Sequence, residues 1–262
     1  MDVRPCSVAG MFYPKDPDHL EQLLERMYHG KESDRNAMGV VAPHAGYIYS
    51  GEVAARAYSA IPSSFSGTFL VIGPSHRGYL TCVSRIAWET PLGLVDVDRE
   101  FVDALDVKVD EYSHTNEHSI EVQLPFLKYR FPRARFVPLM MGEQSLMSAR
   151  MLADRILDAI RSTGRDVRLV ASSDFSHYIP REVAEKQDRY AIEALATLDV
   201  GEFYRRIEQE GVSACGYGPI AVLSLVARER GATTGELLEY RTSGDVTGEY
   251  DQVVGYGAIA VI

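Results

Sequence analysis

Two periodicities alternate along this chain. Leu20, Leu23, Leu24 and Met27 recur at helical spacing and predict an amphipathic helix, opened by Asp16 and Pro17 and closed at Gly30. A polar loop at 31–36 separates it from a short apolar run at 38–42, the first buried strand. Ser50 is placed to cap a helix carrying Val53, Ala54, Ala57 and Tyr58, and a second buried strand is expected at 68–72. Residues 81–88 alternate loosely and predict one strand, with a turn at Pro91, Leu92 and Gly93. Later strands are expected at 135–141, 167–171, 237–242 and 253–262. Helices are expected at 99–105, 146–160, 182–198, 202–209 and 219–228. Residues 111–121 are unusually polar, and lead into an apolar 122–127 read as helical despite Pro125. Strands alternate with helices and no repeat, low-complexity tract or linker divides the chain, which argues for an α/β sandwich.

Composition narrows the classes of function. The chain has 262 residues, 46% hydrophobic and 24% charged, enough for a sizeable core. Its 27 basic and 37 acidic residues give a formal net charge of −10 without a Lys/Arg block, so neither nucleic acid nor an anionic membrane surface is an expected partner. Three cysteines make no disulfide framework. The amino terminus lacks the apolar core of a secretory signal, and no apolar run approaches the roughly 18 residues of a membrane span. A cytoplasmic protein is the expectation.

The chemistry gathers where buried strands end. The run at 38–42 ends in Pro43-His44-Ala45-Gly46, the run at 69–72 in Gly73-Pro74-Ser75-His76, and the run at 169–171 in Ser172-Ser173-Asp174-Phe175-Ser176-His177. Parallel α/β sheets bind ligands beyond the carboxyl ends of their strands, so three of seven histidines point to one site. Neutral imidazole is the commonest metal-binding side chain, and His44 and His76 are candidate ligands; taken singly, each also fits a hydrogen-bonded loop histidine. Cys215 is the candidate third ligand, in a Gly-rich stretch just before an apolar helix whose N-terminus favours thiolate. Its bland reading, a small buried hydrophobe, suits Cys82 better. Asp174 and His177 form a candidate acid/base pair, against a capped turn near Pro180. His118, between Glu117 and Glu121, is a weaker candidate, His114 weaker still, and His19 and His29 are expected in solvent. No phosphate-binding glycine loop and no Gly-x-Ser-x-Gly elbow occurs.

Six stretches together carry a resemblance: RPCSVAGMFYP at 4–14, PHAGYIYSG at 43–51, GPSH at 73–76, EHSIEVQLP at 117–125, SSDFSH at 172–177 and CGYGP at 215–219. They are similar to the Memo family, named for a mediator of receptor-driven cell motility, whose archaeal and bacterial members are often called Memo-like or AmmeMemoRadiSam system protein B. The family resembles the class III extradiol ring-cleaving dioxygenases in fold. The resemblance implies one domain over residues 1–262, a three-layer α/β/α sandwich around a mixed sheet. It also puts His44, His76 and Cys215 on metal positions and His177 on the acid/base histidine of the dioxygenases. A non-haem Fe(II) oxygenase usually offers two histidines and a carboxylate; a thiolate as third ligand is softer and suits copper or zinc as well as iron.

Three functional readings are open. One is a metal-dependent redox enzyme, dioxygenase-like, on non-haem iron (or copper or zinc), with His177 moving protons and Asp174 and His118 lining the pocket. The second is a non-catalytic metal-binding module whose cleft takes an unidentified small molecule, a peptide or a protein partner. The third, a cysteine hydrolase on Cys215, leaves the strand-end histidines unexplained.

Overall fold

The computed structural model describes residues 3–31 and 35–262. The middle of the loop expected at 31–36 and the first two residues lie outside the described residues. The main sheet runs in the order Gly235–Thr242, Val253–Val261, Gly39–Ala42, Val167–Ser172, Thr68–Pro74, Arg135–Met141, Cys82–Val83, with His177–Ile179 added against Val253–Val261. The four strands from Gly39–Ala42 to Arg135–Met141 are mutually parallel, and antiparallel strands close the sheet on both sides. The parallel strands are almost wholly buried, as the continuous apolar runs require when helices cover both faces.

Tyr47–Tyr58 packs on Gly39–Ala42 and Val253–Val261, with Pro17–Tyr28 against it. Tyr217–Glu229 packs on Val167–Ser172 and Thr68–Pro74, with Leu146–Thr163 beside it. The result is the expected three-layer α/β/α sandwich around a mixed sheet. Asp16 caps the first helix by accepting from the His19 N–H at 2.9 Å, and Leu20, Leu24 and Met27 form its buried stripe. No helix among the described residues is long and apolar enough to cross a membrane.

Three departures from the sequence pattern have clear causes. Ser50 does not cap its helix. The helix begins at Tyr47 immediately after Gly46, and the Ser50 hydroxyl donates back to Ala45 O at 3.1 Å. The strand expected at 81–88 is two strands in different sheets. Cys82–Val83 edges the main sheet, while Ala87–Thr90 joins Val3–Arg4 and Gly93–Val95 in a small second sheet. The chain turns between them, and the Trp88 indole N–H donates to Ser84 Oγ at 3.0 Å across the turn. The turn at Pro91 and Leu92 is present, closed by Gly93 at φ 106°.

The third departure concerns the polar stretch. Residues 111–121 are not a solvated loop: Ser113, His114, Glu117, Ser119 and Glu121 are buried. What compensates them is the amino-terminal segment. The Glu121 carboxylate accepts from the Arg4 guanidinium (2.7 Å), the Ser7 and Val8 N–H groups (both 2.9 Å), the Ser7 hydroxyl (2.6 Å) and the Tyr13 hydroxyl (2.7 Å). Arg4 also donates to His114 O and Glu117 O and lies over the Trp88 ring at 4.0 Å. The stretches at 4–14 and 117–125 are thus one buried network.

Candidate metal centre

The parallel strands end level with one another. Ala42 pairs with Ser172, and Ile72 with Ala171, so the residues just beyond them emerge at one edge of the sheet. His44 leaves the first strand two residues past its end and is held just ahead of the Tyr47–Tyr58 helix. His76 lies two residues beyond Pro74. His118 comes from the buried polar stretch. Ligand atoms of these three imidazoles all lie within 4.8 Å of one another, a group that can hold a metal ion. Ring centroids are 5.2 Å apart for His44 and His76, 5.5 Å for His44 and His118, and 4.5 Å for the stacked pair His76 and His118.

Cys215 borders this group at His44. Its Sγ lies 3.3 Å from His44 Nε2 and accepts from the Asp174 N–H at 3.3 Å. The loop is fixed on all sides: Cys215 N–H donates to Asp174 O, Gly216 N–H to Ser173 Oγ at 2.9 Å, and Gln144 bridges Cys215 O and the Gly218 N–H, both at 2.8 Å. Gly216 is required by this close approach, because a Cβ there would lie 2.4 Å from Ser172 O and 2.7 Å from Ser173 Cβ. Gly216→Ala is therefore expected to push Cys215 away from His44 and to lower stability by ~1–3 kcal/mol. Denaturant titration and a structure of the variant check both effects.

Burial sets the charge states. His44 is held well below the usual imidazole range, first by burial and then by the neighbouring His118 and His76; His118 is lowered by burial and by His76. Burial pushes the Cys215 thiol well up, and the Asp174 carboxylate beside it acts the same way. The thiolate expected from a helix N-terminus is thus not favoured by the protein alone; a cation beside Sγ is what would release the proton. The Asp174 carboxyl is raised to about 6 by burial, against hydrogen bonds from the His44 and Ala45 N–H groups. The His44 bond is 2.9 Å.

Glu117 is the buried carboxylate behind His76. It accepts from the His76 ring Nδ1 and the His76 N–H, both at 2.8 Å, and from the Ser119 N–H at 3.0 Å. Burial pushes its carboxyl up, but the His76 bonds and charge and the Ser119 bond outweigh burial and hold it at about 2, below the ordinary 4.5. A carboxyl depressed on folding contributes stability that is complete above its unfolded value and is lost as pH falls through the folded one. The Glu117 contribution should thus disappear between about pH 4.5 and about pH 2. Acid unfolding of Glu117→Gln should lack this component, which a comparison of stability against pH measures directly. Asp174, displaced oppositely, acts in a higher window, between 3.8 and about 6.

The remaining candidates occupy varied positions. His177 starts the short His177–Ile179 strand; its N–H donates to Ser213 Oγ at 2.8 Å and its ring Nδ1 lies 3.0 Å from Ser213 O. Asp174 bonds the His44 backbone and not the His177 ring, although both act electrostatically on the same centre. His114 stands apart, packed on Trp88 with its Nε2 3.6 Å from Cys82 Sγ, and burial lowers it to about 4. Cys82 is buried in the sheet and its thiol is pushed up to about 12. His19 is exposed on the first helix and His29, its C-cap, is exposed just past the end. Glu117, Gln123 and Ser172 also belong to the site. All three fall inside the stretches at 117–125 and 172–177, which marks their segments, but nothing in the residues themselves assigns them a role; Gln123 stands out only as a lone amide inside the apolar 122–127.

Comparison with known proteins bears on the family. The Memo-like protein family model matches residues 4–260. A MEMO1 family protein of Methanosarcina barkeri is 44% identical over 99% of this chain and 100% of its own length. One from Methanopyrus kandleri is 43% identical over 98% of each chain, and one from Nitrosopumilus maritimus 38% identical over 99% of this chain and 100% of its own. With the family pattern matched almost end to end, and relatives this similar along their full lengths, the chain belongs to the Memo family.

Proposed function

We propose that this protein holds one transition-metal ion on His44, His76 and Cys215, with His118 near enough to add a fourth bond, and acts as a metal-dependent redox protein. The observation that carries the reading is the convergence of three imidazoles within 4.8 Å, with a thiol 3.3 Å from one of them. Burial disfavours both the imidazolium of His44 and the thiolate of Cys215, and a cation would be bound by the neutral ring and would stabilise the thiolate. The Glu117 carboxylate behind His76 is the outer partner that metal-bound imidazoles usually have.

Two or three imidazoles and a thiolate suit iron, copper or zinc, and iron is preferred by the likeness to non-haem oxygenases. A bound iron would supply one-electron redox chemistry and open positions for substrate. The chain's own residues would handle protons. Ser213 O can only accept, so the His177 ring donates from Nδ1, which leaves Nε2 as the ring atom that would exchange a proton with a substrate. Asp174, buried and raised to about 6, is a second proton station beside the same site. His177→Ala is expected to retain its metal while oxygen-dependent turnover falls by ~10²–10⁴-fold. Asp174→Asn should give a milder loss. Metal content and turnover, measured on the same preparations, test this: loss of metal in His177→Ala equal to that in His44→Ala would make His177 a ligand instead.

The second reading, a metal-holding module that docks a small molecule or a peptide, is favoured by apolar side chains left in solvent next to site residues. Ile48 is 68% exposed four residues past His44, Tyr178 is 71% exposed beside His177, and Met11 is 73% exposed beside Phe12, whose ring packs on His118 at 4.9 Å. Tyr178 also holds a left-handed backbone, φ 58°, a conformation that non-glycine residues adopt at a cost and often near functional sites.

A further inference from the structure

We infer that Gln123 and Ser172 form a relay that fixes the tautomer of His44, holding hydrogen on Nδ1 so that the Nε2 lone pair faces the metal site. The inference rests on the metal reading only for its purpose; its chemistry stands on hydrogen-bond accounting alone.

Gln123 is fully buried. Its side-chain nitrogen lies 2.9 Å from Pro43 O, a group that can only accept, and its side-chain oxygen accepts from the Tyr58 hydroxyl at 3.0 Å. The amide orientation is thereby settled, and its second N–H donates to Ser172 Oγ at 2.8 Å. Ser172 is also fully buried. Its Oγ lies 2.6 Å from Ser119 O, which again can only accept, so the single hydroxyl hydrogen is committed there. One lone pair of Ser172 Oγ is taken by Gln123. The other is left for His44 Nδ1, 2.9 Å away. With no hydrogen left on Ser172 to give, His44 must be the donor. Nδ1 therefore carries the hydrogen, and in the neutral ring Nε2, 3.3 Å from Cys215 Sγ, is the bare nitrogen.

The relay also ties three distant stretches together: 43–51 supplies His44, 117–125 supplies Gln123 and the Ser119 carbonyl, and 172–177 supplies Ser172. Gln123 and Ser172 are positioning residues, since neither touches the space between the imidazoles. An outer partner that fixes ring orientation and tautomer is worth roughly 10–100-fold in metal affinity.

The test is nitrogen-15 NMR of imidazole tautomers in metal-free protein, combined with zinc affinity by chelator competition. In the wild type the expected spectrum shows His44 protonated on Nδ1 and bare on Nε2. Ser172→Ala should release the ring toward the Nε2–H form and weaken zinc binding by ~10–100-fold. Gln123→Leu keeps the Ser172–Ser119 bond and should give a smaller change in the same direction. His44 found as Nε2–H in the wild type would overturn the relay, whatever the variants do. So would a Ser172→Ala protein with wild-type tautomer and affinity. If the wild type shows the Nδ1–H tautomer but binds no zinc, cobalt, iron or copper, the relay stands and the metal reading fails. The wild-type spectrum decides the relay even where a variant does not fold.

Discussion

His44→Ala is expected to abolish stoichiometric metal binding, and Cys215→Ser to weaken it by more than the ~10–100-fold typical of changes behind the ligands. His44 is the most enclosed of the three imidazoles, 2% exposed, and is the residue both other imidazoles and the Cys215 thiol approach. Removing its ring takes away a donor whose orientation is fixed on both sides, by Ser172 at Nδ1 and by Asp174 at its backbone N–H. Removing the thiol leaves the imidazoles in place, which is why a residual site is expected in Cys215→Ser. Cys82→Ser is the control, because Cys82 lies in the sheet with His114 and offers nothing to this centre. Equilibrium competition against a chelator, with elemental analysis of the loaded proteins, measures all three.

Arg4→Ala is expected to lower the free energy of unfolding by about 3–5 kcal/mol, the range for breaking one side of a buried ion pair. Arg4 and Glu121 are 3% and 0% exposed, so the carboxylate left behind cannot recover its hydration. The four other donors to Glu121 would still hold it charged, but its countercharge would be gone. Arg4 also anchors Glu117 O and His114 O, so the segment carrying His118 keeps only its Glu121 bonds to Ser7, Val8 and Tyr13 as ties to the amino-terminal arm. Metal affinity should therefore fall along with stability. The exposed pair of Arg161 and Asp158 gives the comparison: Arg161→Ala should cost no more than ~1 kcal/mol. Urea titrations of both variants separate the cases, and equal effects would show that the buried network is not a principal support of the fold.

The parts of this molecule that are legible in the sequence are those governed by local pattern. Buried strands read as apolar runs, and helices as periodic stripes, the first with its cap at Asp16. The strand-end histidines can be grouped because parallel strands deliver their succeeding loops to one edge, a rule of topology that does not need coordinates. The polar stretch at 111–121 cannot be read this way. Hydrophilic residues are assigned to solvent unless their partners are known, and here the partners are more than a hundred residues away, at Arg4, Ser7 and Tyr13. The same distance hides Gln123 and Ser172, whose roles come from a chain of hydrogen bonds across three segments. His118 looks weak in the sequence for the same reason: only the folding of its segment against His76 brings its ring beside the other two. The single strand expected at 81–88 fails on a different point, since a loose alternation cannot show that Ser84 and Trp88 close a turn between two sheets.

The central claim is that His44, His76 and Cys215 hold one metal ion in which a thiolate takes the place of the usual carboxylate. The most direct measurement is cobalt(II) titration of anaerobically prepared, metal-free protein with absorption spectroscopy, and elemental analysis for stoichiometry. The account predicts one cobalt per chain and a thiolate-to-cobalt charge-transfer band that Cys215→Ser loses and Cys82→Ser keeps. Absence of bound cobalt, or a band unchanged in Cys215→Ser, would contradict it.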